Sequence, residues 1–248
     1  MTEDFGGKRV LVTGSARGIG LAAARLFLER GATLLLHGPT AEALGPALAE
    51  LAPVQGIAAD LADRGECRRL AFEAGELDVL VNAAGIYEER PIEAVDSAYW
   101  QRTLAVNLTA PWILSASLLP GLRRRRGVIV NIASDAALLG YPGCSVYGAS
   151  KGGLVGLTRA LAVELAPEVR AICICPGPVD TEMMRASIAR SADPAAARKQ
   201  WADNTLLGRV ADSREIAEAI VFAASPAASF ATGSVWTLDG GVTAGKRS

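Results

Sequence analysis

Thr13-Gly14-Ser15-Ala16-Arg17-Gly18-Ile19-Gly20 stands between an apolar run, Val10–Val12, and a segment with apolar residues at Ile19, Ala22, Ala23, Leu26 and Phe27. The run is short enough for a strand, and the spacing that follows has the period of a helix. Glycines at that junction suit a phosphate cradle. Gly14 permits the tight turn, Gly18 lets the backbone approach a pyrophosphate, and Gly20 lets helix and strand pack closely. The helix N-terminus then offers free N–H groups and partial positive charge. Ser15, Arg17 and Ile19 are expected to line the dinucleotide with these glycines. The spacing is G-x3-G-x-G, not the G-x-G-x-x-G of longer dehydrogenases.

The alternation continues outward from this loop. Strands are expected at Thr33–Leu36, Val54–Ala58, Val79–Val81, Val128–Ile132, Val169–Ile174 and Val235–Leu238. Helices are expected at Ala41–Leu51, Cys67–Ala74, around 97–122, at Ser145–Leu165 and at Ser213–Ala224, with a loop-rich stretch after the sixth strand. The strands are apolar throughout rather than alternating, so both of their faces are covered. Repeated β-α-β with such strands implies a single-domain α/β fold: a Rossmann-type, doubly wound parallel sheet with helices on both faces. No linker or repeat divides residues 1–248. Ligands of such sheets sit at the carboxyl ends of the strands.

Composition narrows the function. Half of the 248 residues are apolar, and 25 basic residues face 26 acidic ones. That excludes a disordered chain and leaves no basic excess for nucleic acid. Residues 103–122 carry no charge and precede Arg123 to Arg126. Asn107, Thr109, Pro111, Ser115, Ser117 and Pro120 interrupt the run, which reads as a buried helix with a cationic C-terminus rather than a membrane span. The four cysteines have neither zinc nor disulfide spacing, so no metal is expected. Glu3 and Asp4 precede any apolar stretch, which argues against a signal peptide and for a cytoplasmic location.

After the second strand the chain reads Leu36-His37-Gly38-Pro39-Thr40. NAD-binding sheets usually place a carboxylate there for the ribose hydroxyls. Its absence, with Arg17 able to reach a 2'-phosphate, tilts the choice between NADP and NAD toward NADP. His37, the one histidine, is expected to pack near the adenine edge, with Gly38 beside it.

Tyr147 and Lys151 stand at i and i+4 of one helix, about 6 Å apart along its axis. A tyrosine with pKa near 10 is a poor base, and a nearby ammonium favours its phenolate. Ser134, at the end of the fifth strand, can bond a substrate oxygen. Gly152 and Gly153 continue the helix at about 1 kcal/mol each relative to alanine, so something must approach it closely.

With the phosphate loop, these residues make the chain similar to the classical short-chain dehydrogenase/reductase family from about Gly7 to Gly241. Thr13–Gly20, Asp60-Leu61, Asn82-Ala83-Ala84-Gly85, Asn107, Ser134, Tyr147–Lys151, Pro176-Gly177 with Thr181, and Asp239-Gly240-Gly241 stand in the family's order. The resemblance implies that Tyr147 is the general acid/base, Lys151 binds the nicotinamide ribose and lowers the Tyr147 pKa, and Ser134 polarises the substrate oxygen. It implies that Asn107 holds a water linking Lys151 to solvent. Asp60 would reach the adenine beside Leu61. Asn82, Ala83 and Gly85 would line the cofactor, with Pro176, Gly177 and Val179, and Thr181 would meet the carboxamide. It further implies a homotetramer. Two departures stand out: the segment between Asp60 and Asn82 is short, and Ile172 replaces a structural asparagine.

The expected activity is NAD(P)-dependent interconversion of a secondary alcohol and a ketone, with a small-molecule substrate bound under residues about 180–207. Met183, Met184 and Trp201 suggest an adaptable lid. Two alternatives stand beside it. One is a 3-oxoacyl-(acyl-carrier-protein) reductase that uses Arg123–Arg126 for its carrier, and the other a non-catalytic dinucleotide-binding protein.

Overall fold

In a computed structural model, residues 5–245 are described; Glu3 and Asp4 lie outside them. Seven strands form one parallel sheet in the order β3-β2-β1-β4-β5-β6-β7. They are β1 (Arg9–Thr13), β2 (Thr33–Gly38), β3 (Gln55–Ala58), β4 (Val79–Asn82), β5 (Val128–Ile132), β6 (Arg170–Pro176) and β7 (Val235–Leu238). The chain order reverses between β1 and β4, which pair Thr13 with Asn82. A crevice at the carboxyl ends is expected at such a reversal.

The helices between the strands are α1 (Gly18–Glu29), α2 (Ala41–Glu50), α3 (Arg64–Ala74), α4 (Ser97–Leu104), α5 (Ala110–Arg125), α6 (Ser145–Leu165), α7 (Glu182–Ala189), α8 (Pro194–Asp203) and α9 (Ser213–Ala224). One face of the sheet buries Val10, Val12, Leu34 and Leu36 against α1 and α9 through Phe27, Ile216 and Ile220. The other buries Leu11, Leu35, Leu80 and Ile129 against α3, α5 and α6 through Leu70, Leu114 and Leu161. Successive strand residues thus feed opposite cores, and each such side chain contributes roughly 1.5–3 kcal/mol.

The stretch expected as one helix around 97–122 is divided. α4 and α5 are joined by a π-helical turn, Ala105–Thr109. Together they form a continuous helical stretch, Ser97–Arg125, long and apolar enough to cross a membrane, yet Ile113, Leu114, Leu118 and Leu122 of α5 are buried in the core beside α3. The expected cationic end is tied down, with Arg123 paired to Glu168 and Arg124 and Arg125 paired to Glu76.

The loop-rich stretch after β6 holds two helices that the apolar period missed, α7 and α8. Both have an oxygen cap: Thr181 accepts from the Met184 N–H, and Asp193 accepts from Ala195 and Ala196. α3 is also longer at its start than expected, because Asp63 caps the Gly65 and Glu66 N–H groups.

Candidate active site

At the glycine loop, close backbone packing explains the residue types. A Cβ on Gly14 would lie 2.7 Å from Ala84 Cα, and one on Gly20 would lie 2.3 Å from the Gly14 carbonyl oxygen. Gly14 and Gly18 have φ of 67° and 56°, the left-handed region that glycine enters freely. α1 begins without a side-chain cap and without an acid in its first turn. Its first N–H groups are therefore open to an anion. Arg17 beside them is exposed and pairs with no acid among the described residues.

Two residues expected to touch the cofactor are turned into the fold instead. Ser15 is buried, its N–H and hydroxyl both bonding the His37 carbonyl while it accepts the His37 N–H. The His37 ring is buried, and both of its nitrogens face groups of the fold. Its Nδ1 accepts from the Gly14 N–H at 3.1 Å and its Nε2 faces the Ala59 carbonyl at 3.0 Å. Burial pushes its pKa down, in keeping with a neutral ring. Both residues brace the loop from β2. Gly38 is packed under Leu44 and Ala16, where a Cβ would meet Leu44 Cγ at 2.9 Å. Asp60 accepts the Ala62 N–H through Oδ1 and faces Arg102 through Oδ2, and Leu61 is buried beneath it.

Asn82 ends β4 and donates to Asn131 Oδ1 at 2.8 Å, and Asn131 donates to Thr158 Oγ1 at 2.9 Å. This buried polar chain crosses β4, β5 and α6. The Asn82 Oδ1 is buried without a partner among the described residues, and Asn82 stands behind the cavity rather than on its wall. Thr13 Oγ1 holds the Ala83 and Ala84 N–H groups at 3.1 Å each, which fixes the turn toward Gly85.

A cavity of about 490 Å³ opens at the carboxyl ends of the strands. Its walls include Ile19, Ala83, Gly85, Ser134, Tyr147, Lys151, Pro176, Gly177, Val179 and Thr181, ten of the residues expected from the sequence. Tyr87, Asp135, Tyr141, Cys144, Met183, Met184, Ile188 and Trp201 complete the apolar end. Ser134 lies two residues beyond the end of β5 rather than on it. The uncapped helix N-terminus and the glycine cradle suit a dinucleotide.

Lys151 is buried, and its Nζ donates to the Ile132 carbonyl at 2.8 Å, 5.7 Å from the centre of the Tyr147 ring. Burial pushes its pKa down to about 8. Burial raises the Tyr147 pKa as well, and the Ser134 hydroxyl pulls the other way. The Tyr147 ring meets Tyr87 edge-on at 4.9 Å. Asn107, on the π-helical turn, exchanges bonds with both the N–H and the carbonyl of Ile86 and donates to Ser150 Oγ at 3.0 Å. Ser150 in turn donates to the Tyr147 carbonyl. A π turn is a frequent device at functional sites. Here it docks Asn107 onto α6. A Cβ on Gly153 would lie 2.7 Å from Leu108 Cδ2, so the costly helix glycine admits that turn.

Sequence reasoning did not single out Asn131, Thr158 or Ser150. A lone polar residue inside the apolar run Val128–Ile132 was the available signal for the first.

The comparisons with known proteins fall on one class. A family model described as enoyl-(acyl carrier protein) reductase matches residues 14–243. An uncharacterized oxidoreductase of Thermotoga maritima is 38% identical over 97% of this chain and 99% of its own. The 2,3-dihydro-2,3-dihydroxybenzoate dehydrogenase of Escherichia coli is 38% identical over 98% and 99%. A solved short chain dehydrogenase/reductase family protein superposes with a TM-score of 0.90 at 38% identity, over 98% of this chain and 100% of that one. The chain belongs to the short-chain dehydrogenase/reductase family. It is an NAD(P)-dependent oxidoreductase acting on a small molecule.

Proposed function

We propose that the protein interconverts an uncharged secondary alcohol and its ketone, with Tyr147 as the general acid/base. The observation that carries this reading is the cavity wall, where Ser134, Tyr147 and Lys151 meet at the carboxyl ends of the strands. Bound NAD(P) would supply or accept the hydride. Gly14, Gly18, Gly20 and the start of α1 would hold its phosphates, and Lys151 its nicotinamide ribose. Tyr147 exchanges the proton with the substrate oxygen, and Ser134 orients that oxygen. Asn107 holds the π turn against α6 and so sets where Lys151 and Tyr147 stand.

The cavity supports an uncharged substrate. Lys151 is its one cation and is committed to Ile132, whereas Glu89 and Asp135 are both on its walls. A carboxylate placed there would meet acids and no free partner. A 3-oxoacyl-(acyl-carrier-protein) reductase of Chlamydia muridarum is 34% identical over 95% of this chain, which keeps an acyl substrate in view. Three of the four arginines that would greet its carrier, Arg123, Arg124 and Arg125, are, however, paired with Glu168 and Glu76. A dehydrogenase panel of neutral alcohols, hydroxy acids and acyl thioesters, read by nicotinamide absorbance with both cofactors, tests the reading. Turnover that survives Tyr147→Phe would overturn the role of Tyr147, because a positioned acid/base is worth roughly 10²–10⁴-fold.

NADP is the favoured cofactor on this reading, and the assembly is a homotetramer. Trp100, Trp112 and Val163 leave α4, α5 and α6 with exposed apolar side chains, 42%, 50% and 83% accessible. Covering such surface favours association. Light scattering at micromolar concentration should give four times the chain mass; a clean monomer would refute it. The buried free thiols Cys67, Cys144, Cys173 and Cys175 suit the reducing cytoplasm, where we place the protein. Fractionation of the native host would check that placement.

A further inference from the structure

Ser134 has one hydroxyl hydrogen, and Asp135 takes it. Ser134 Oγ lies 2.9 Å from Asp135 Oδ1. An ionised carboxylate only accepts, so the serine is the donor. The Ala136 N–H fills one serine lone pair at 3.1 Å. Tyr141 donates to the other carboxylate oxygen at 2.8 Å. Asp135 is 7% exposed and lines the same cavity as Ser134 and Tyr147. In this arrangement Ser134 has no donor left, and its remaining lone pair is shared between the Tyr147 hydroxyl and a substrate. A ketone oxygen only accepts, and would find no hydrogen there.

We propose that Asp135 is a positioning residue that switches Ser134. While ionised it holds the serine hydrogen away from the substrate; once protonated it donates to Ser134 Oγ and that hydrogen turns to the substrate oxygen. The inference rests on the alcohol–ketone reading given above. Asp135 takes its proton from water and returns it there; only O–H bonds are made and broken, and no electron moves.

The surroundings make such a switch available. The titratable groups facing Asp135 are Tyr141, Cys144 and Tyr147 around the start of α6, Cys175 on β6, and Asp239 after β7. None is a cation. Burial raises the Asp135 pKa, Asp239 adds to that, and the Tyr141 and Ser134 hydroxyls oppose it. A raised pKa means that the carboxyl is neutral at low pH and stays so further up the scale than an exposed aspartate. Carbonyl reduction therefore falls as pH rises through the Asp135 titration.

Asp135→Asn fixes the neutral arrangement. Its amide nitrogen donates to Ser134 while its amide oxygen still accepts from Tyr141. Reduction of cyclohexane-1,2-dione by NADPH or NADH, followed from the ordinary aspartate value of about 4 up to about pH 9, reads the difference. The wild type should lose kcat/KM across the Asp135 titration by about tenfold, the scale of one hydrogen bond, and the variant should not. The variant's KM for the dione should be the lower at high pH. Tyr141→Phe removes a donor to the carboxylate and should move the wild-type fall to higher pH. Superimposable wild-type and Asp135→Asn profiles overturn the proposal, as does a variant that loses thermal stability and keeps the fall. Should the dione not be reduced, Tyr147 phenolate absorbance decides without substrate. Asp135→Asn should lower the titration by about one unit, and by less in a Ser134→Ala background. An equal shift in both backgrounds overturns the switch. Turnover retained by Tyr147→Phe would instead overturn the alcohol–ketone reading.

Discussion

The Lys151 ammonium donates to the Ile132 carbonyl across 2.8 Å, so a side chain of α6 is fastened to the last residue of β5. This bond holds the lysine where it faces Tyr147, but it also keeps a charge out of water. Burial lowers the Lys151 pKa from 10.5 to about 8. The folded protein thus releases that proton before the unfolded chain does. The cost is full below about pH 8 and is relieved as pH rises toward the unfolded value. The difference corresponds to about 3 kcal/mol. Lys151→Met should therefore raise Tm at neutral pH while removing activity, and the gain should shrink as pH rises above about 8 and be gone above 10.5, the unfolded value. Thermal denaturation at both ends of that range checks it, and a lower Tm at neutral pH would contradict it.

Two helix glycines, Gly20 on α1 and Gly45 on α2, should respond unequally. A Cβ on Gly20 would lie 2.3 Å from the Gly14 carbonyl oxygen, backbone that has no side chain to move aside. Gly20→Ala should cost upward of about 3 kcal/mol, at the far end of overpacking effects, and weaken cofactor binding. Gly45, exposed in the middle of α2, has nothing within 4 Å of its Cβ position. Gly45→Ala should change stability by less than about 1 kcal/mol, because the gain in helix propensity is offset by crowding of the new Cβ against Pro46. Urea unfolding of the two variants separates close packing from mere flexibility, and equal effects would refute the assignment of Gly20.

Asn131 joins Asn82 to Thr158 in the buried interior. Asn131→Leu removes the acceptor of Asn82 and the donor to Thr158 together. Each unpaired buried group costs about 1–3 kcal/mol. The variant should lose roughly 2–4 kcal/mol of stability and bind cofactor less tightly, because Asn82 is freed beside the loop. Calorimetric titration with NADP and NAD, at a temperature where the variant is folded, reads the second effect. Unchanged affinity would confine Asn131 to the core.

Most of the frame was legible because the strands are apolar on both faces and the glycines fall between β1 and α1. β5, α6, α9 and β7 have the bounds that hydrophobic period alone suggests. The π turn was not legible, since an extra residue in one turn leaves no mark on the apolar spacing. α7 and α8 were missed because their buried stripe is thin: α7 buries Met184 and Ile188, and α8 buries nothing fully. Their caps were the readable signal, with Thr181 three residues before Met184 and Asp193 before Pro194. Ser15 and His37 were not legible in another way: their side chains are buried and bonded within the fold. A polar residue in a ligand loop was taken to face the ligand, yet both use their hydrogen bonds on each other's backbone and on Gly14.

Cofactor choice should turn on Arg17. Neither Pro39 nor Thr40, which follow Gly38 at the end of β2, is an acid; Glu42 in the first turn of α2 is held by the Thr40 side chain, whose Oγ1 also accepts the Ala43 N–H. The nearest aspartate in sequence, Asp60 after β3, already bonds Ala62 and faces Arg102. A 2'-phosphate at the end of β2 would thus meet no fixed carboxylate from that strand. Arg17 is exposed at the N-cap of α1 and has no competing partner among the described residues. A charge-assisted bond to the phosphate contributes about 1.5–3 kcal/mol, less where solvent screens it. The ratio of kcat/KM for NADP to that for NAD should exceed one, and Arg17→Ala should lower it by about tenfold without changing Tm. Added salt should erode the wild-type preference more than that of the variant, because the discriminating interaction is an exposed ion pair. A wild-type ratio below one would assign the chain to NAD. A ratio that Arg17→Ala leaves unchanged would move the discrimination to the backbone around Pro39 and Thr40.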